Sequence, residues 1–122
     1  MTIEEFYEHI GGDYSEITSR ILQEDRIRKY LYIFLNDKTF TNLCTEIDSN
    51  NVQRAFVYAL TLKGFSQSLS LSSLYVYANL IAKALHNNNL ERATCFLPDL
   101  SREYTRIITE IKALKKAEGS RL

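Results

Sequence analysis

The sequence predicts an all-α fold: an antiparallel four-helix bundle with short N-terminal helices packed across it. Three observations carry this expectation. Apolar residues recur at helical spacing along nearly the whole chain. Only one proline and four glycines interrupt 122 residues, so regular structure should dominate. No stretch alternates apolar and polar residues as a half-buried strand would. With 45% hydrophobic residues, the length suits one domain, residues 1–122, around one core. The bundle core is expected over about 37–117, and a frayed tail over 118–122.

The elements follow in order. "TIEEFYEHI" opens on a T-x-x-E capping box, Thr2 with Glu5, and stops at Gly11-Gly12. "DYSEITSRIL" starts on Asp13, with Glu16 at the matching position. "EDRIRKYLYIFLND" puts Ile27, Leu31, Phe34 and Leu35 on one face, and "TFTNLCTEID" does the same with Phe40, Leu43, Cys44 and Ile47. "SNN", Ser49 to Asn51, reads as a turn and cap. A long helix should run from about Val52 to Leu69, with Val52, Ala55, Phe56, Ala59, Leu62, Ser66 and Leu69 in one arc. The next helix turns Leu71, Leu74, Ala78, Ile81 and Leu85 inwards. "HNNN" closes it, since Asn tolerates the left-handed turn and caps the helix that follows. From Leu90 to Ala117 the pattern stays helical, and Pro98 should kink or break it.

Composition excludes several functions. A formal net charge of zero argues against a general nucleic-acid binder. Residues 1–50 hold five basic and ten acidic side chains, and residues 51–122 hold ten basic and five acidic. That asymmetry either steers an acidic partner to the second half or matches solvated faces within the chain. Cys44 and Cys95 have no ligand-spaced partner, so no metal is expected, and both read as free, mostly buried thiols of a reduced, cytoplasmic protein. The acidic N-terminus does not resemble a secretory signal, and no apolar run is long enough to span a bilayer. His9 and His86 lack a Ser, Cys or carboxylate at diagnostic spacing, and no phosphate-binding glycine loop is present. Neither an enzyme nor a cofactor is expected.

One stretch is anomalous: "YALTLKGFSQSLS", Tyr58 to Ser70, carries Lys63-Gly64 inside a good helix. Leu60, Gly64 and Gln67 lie off the centre of the core arc, and Val57 and Thr61 continue that outer surface. Gly64 costs up to ~1 kcal/mol relative to alanine, and close approach of another body would explain it. Lys63, three residues from Leu60, can serve the same patch.

At these residues the sequence resembles the histidine phosphotransfer domains of two-component phosphorelays. Those domains are four-helix bundles whose active helix carries A-H-T-L-K-G, followed by an N-L-G-type turn and L-x-x-L. The matching run here is Ala59-Leu60-Thr61-Leu62-Lys63-Gly64, then Ser68-Leu69-Ser70, then Leu71 to Leu74. In pattern the resemblance covers about Phe40 to Ile111. It implies that Lys63 neutralises transferred charge, that Gly64 admits the phosphoryl group and a receiver domain, and that Gln67 lines the polar edge. The acceptor position holds Leu60, which has no nucleophilic nitrogen and cannot form a phosphoramidate. Thr61 is a poor nucleophile without a base. Ser70 replaces the glycine expected in the helix-ending turn, at some cost.

The expectation is a signalling module without phosphotransfer. It would bind a response-regulator receiver domain or a histidine kinase through Val57, Leu60, Thr61, Lys63, Gly64 and Gln67, with no nucleic acid or membrane as partner. The sequence does not specify its oligomeric state. Two readings compete with it: a purely structural bundle in which Leu60 is core, and active transfer through His86 or His9. Exposure of Leu60 separates the first pair, since burial favours the scaffold and exposure favours docking.

Overall fold

A computed structural model describes residues 1–119. Among the described residues there are seven α-helices and no strand: α1 (Ile3–Ile10), α2 (Tyr14–Arg20), α3 (Glu24–Leu35), α4 (Thr39–Asp48), α5 (Val52–Ser68), α6 (Ser72–His86) and α7 (Leu90–Gly119). The starts follow the caps read from the sequence. The side chains of Thr2, Asp13 and Asn51 each accept from a backbone N–H three residues on, at Glu5, Glu16 and Arg54. Asn89 does the same for Arg92, at 3.0 Å.

Four helix ends share one device. After α1, α4, α5 and α6 a single residue turns left-handed: Gly11, Asn50, Ser70 and Asn88, with φ of 66°, 58°, 52° and 56°. At α5 the Leu71 N–H reaches the Ser66 carbonyl (2.8 Å) and the Ser70 N–H the Gln67 carbonyl (3.2 Å), the two bonds of a Schellman end. Gly11 and the two asparagines are usual in that turn; Ser70 is not.

α5 packs between α4 and α6, and α6 packs on α7. α1 and α3 lie against α7, and α2 against α1. The core runs through all seven helices. On α7 the buried stripe is Ala93, Leu100, Ile107, Ile111 and Leu114. The expected arc of α5 buries Ala55, Ala59, Leu62, Ser66 and Leu69, while Val52 and Phe56 are half-buried. The inward set of α6 is buried throughout. Phe40 of α4 stacks on Tyr104 of α7 with centroids 4.1 Å apart, and Phe34 of α3 meets the same ring edge-on at 5.8 Å.

Three expectations need correction. Of the kink or break expected at Pro98, the break does not occur: α7 runs through it. Pro98 is exposed, so its ring and the unpaired carbonyl it leaves face solvent, while Ala93 and Leu100 pin the helix on either side. The thiols are not both buried: Cys44 is half-buried and Cys95 exposed. Cys95 lies two residues from buried Ala93, more than half a turn round α7 from its inward stripe. The frayed tail expected over 118–122 is helical through Gly119, and its remainder lies outside the described residues. No helix among those described is long and apolar enough to cross a membrane.

Candidate functional site

The outer face of α5 presents the residues that stood out in the sequence. Val57 is 58% exposed and Leu60 43%. Thr61, Gly64 and Gln67 are exposed and Lys63 is half-buried. Val57, Leu60, Thr61, Gly64 and Gln67 lie on the exposed side of α5, and Lys63 at the margin of its buried arc. A Cβ built on Gly64 would meet nothing within 4 Å. No neighbour among the described residues requires a glycine there, yet glycine costs the helix up to ~1 kcal/mol relative to alanine. The Thr61 hydroxyl donates back to the Val57 carbonyl at 2.9 Å, a local bond that gives it no base.

Leu60 and Lys63 also form one wall of a shallow groove of about 250 Å³ between α5 and α6. Phe56 joins them from α5, and Asn79, Lys83 and His86 face them from α6. The rings of Phe56 and His86 lie 5.6 Å apart. The α6 side was missed in the sequence. Its signal is present there as the i, i+4, i+7 spacing of Asn79, Lys83 and His86, but only packing reveals that this stripe faces Leu60.

The far end of α5 is closed, and the N-terminal helices close it. The Tyr7 hydroxyl donates to the Leu69 carbonyl at 2.7 Å. The Arg20 guanidinium donates to the carbonyls of Gln67 (2.9 Å) and Ser68 (3.2 Å) and to the Ser70 hydroxyl. Ser70 in turn donates to Glu16 at 2.7 Å. The last carbonyls of α5, from Ser66 to Leu69, therefore all have partners, and a cation sits where the helix dipole favours one. These bonds also explain the unusual serine, because its hydroxyl joins two side chains that a glycine could not reach. Burial pushes the Tyr7 phenol well above its usual range, with nearby Arg20 acting more weakly the other way.

The two histidines have different surroundings. His9 Nδ1 lies 3.2 Å from Glu110 Oε2, and the His9 carbonyl accepts from Arg106, so its surroundings tie α1 to α7. His86 has a ring neighbour and, among the described residues, no side-chain hydrogen bond. Among the described residues no cluster of His, Cys, Asp or Glu could hold a metal ion. A larger groove, about 580 Å³, lies elsewhere, between α3 and the end of α7. Its charges are largely satisfied: Arg28 pairs with Asp25, Tyr32 donates to Glu118, and Lys115 lies 5.5 Å over the Tyr32 ring. The α5–α6 groove, whose lysines make no ion pair among the described residues, is the better candidate. No family model matches the chain, and no curated protein or solved structure matches it either.

Proposed function

We propose that this chain is a phosphotransfer-like signalling domain that has lost its acceptor histidine and binds a receiver or kinase domain without passing phosphate. In this reading α4 to α7 form the antiparallel four-helix bundle, closed by the Phe40–Tyr104 stack, and α1 to α3 brace it. The observation that carries the reading is Gly64: an exposed glycine in mid-helix, costly to α5 and unexplained by any contact among the described residues. A body approaching α5 closely is a physical reason for it. The exposure of Leu60 favours docking over a purely structural bundle. An apolar anchor rimmed by Thr61, Lys63 and Gln67 has the make-up of a small interface centre.

The test is a titration of candidate receiver domains against the wild type and Leu60→Asp. The variant should bind about tenfold more weakly or worse. Equal binding by both proteins removes the proposed face. Leu60→His should gain acid-labile phosphate from a phosphorylated receiver, whereas the wild type should gain none. Label on His86 of the wild type would contradict the reading in favour of active transfer, because His86 lines the same groove as Leu60.

A further inference from the structure

The cations around the α5–α6 groove share one property. Lys63 and Lys83 pair with no carboxylate among the described residues. No Asp or Glu lines the groove. A second groove, about 310 Å³, adjoins it over the end of α6 and is lined by Leu80, Ala84, Asn89 and Arg92. Lys83 and Asn87 line both, so the two form one strip. The second also lacks a carboxylate. Arg92 makes no ion pair among the described residues; its guanidinium lies 5.7 Å over the Phe96 ring. The chain has 15 acidic side chains and a net charge of zero, yet none of them lines this strip.

A low-dielectric floor beneath unpaired cations strengthens their field and selects anions. Phe56, Leu60, Leu80 and Ala82 supply such a floor. Lys63, Lys83 and Arg92 give too few cations for nucleic acid, and Phe56 is half-buried, so no aromatic platform is open for base stacking. An anion that also carries apolar side chains fits better. We propose that this strip docks an acidic, amphipathic protein segment, with an apolar side chain on Leu60 and carboxylates on Lys63, Lys83 and Arg92. The proposal shares Leu60 and Lys63 with the docking reading above, rests on it to that extent, and names the chemistry of the partner.

The test is a backbone amide NMR titration of the full chain with three probes: a short peptide of Glu and Leu at helical spacing, the same peptide with Lys for Glu, and a short single-stranded DNA. The Glu peptide should shift the amides of Leu60, Lys83 and Arg92, and the other two should not. Lys83→Glu with Arg92→Glu should weaken the peptide about tenfold or more at low salt, and the difference should shrink in ~0.5 M salt. Both side chains are exposed and neither makes an ion pair among the described residues, so helicity by circular dichroism should match the wild type; Lys83→Gln with Arg92→Gln gives the same direction with a smaller loss. Shifts elsewhere, an equal response to the Lys peptide, or binding of DNA at the strip overturns the proposal. A receiver that binds the wild type and the Lys83→Glu, Arg92→Glu double variant equally, but not Leu60→Asp, removes this proposal and leaves the docking reading. Peptide binding at the strip with no receiver binding does the reverse.

Discussion

Gly12 and Gly64 occupy opposite environments. A Cβ on Gly12 would lie 2.6 Å from the Tyr7 ring and 2.9 Å from the Ser70 carbonyl. There the chain folds so closely over the end of α5 that no side chain fits, and Asp13 N–H donates to that same carbonyl at 3.0 Å. Gly64 faces open space. One glycine is accounted for inside the molecule, and the other is not. α5 is divided in the same way: its C-terminal end is bonded to Tyr7, Arg20 and, through Ser70, Glu16, while its outer face has exposed Leu60 and an unpaired lysine. The closed end serves the fold and holds α5 in place, while the outer face keeps an exposed leucine and a glycine that no contact among the described residues explains.

The comparison breaks most visibly at Gly12. Gly12→Ala forces a methyl group into a backbone carbonyl and a buried ring, and should cost about 1–3 kcal/mol in denaturant unfolding. Unchanged stability would mean that the closed end is looser than described. Tyr7→Phe should cost less, about 1–2 kcal/mol, by leaving the Leu69 carbonyl without its partner. The same variant sharpens the pH dependence. The Tyr7 phenol ionises at higher pH when folded than its ordinary value of 10.0. Its contribution is complete below pH 10 and is lost above it, as the unfolded chain releases the proton first. Wild-type stability should therefore fall at alkaline pH, and Tyr7→Phe should fall less steeply. The fall should not vanish, because the Tyr32 phenol is pushed up to about 12 by burial and by its bond to Glu118.

Much of this architecture is legible in the sequence because it depends on local chemistry. Thr2, Asp13, Asn51 and Asn89 mark helix starts through side-chain bonds spanning three residues, and Asn50 and Asn88 mark ends through a tolerated left-handed turn. Helical periodicity alone places Val57, Leu60 and Gly64 outside the core of α5. What escapes is set by distant contacts. Arg20 and Ser70 are 50 residues apart, so nothing local announces that a serine belongs in that turn. Lys83 and Arg92 read as ordinary solvated charges until α6 is packed beside α5. Pro98 misleads because the local rule for proline ignores the anchoring of α7 on both sides.

The most direct measurement is Gly64→Ala read in two ways at once. An added methyl group meets nothing in the free protein, so unfolding should show the variant more stable by about 0.5–1 kcal/mol. If α5 is a docking face, the same methyl group should weaken a bound receiver domain about tenfold or more. A variant that is more stable and binds as tightly as the wild type would contradict the account, since Gly64 would then serve neither the fold nor a partner.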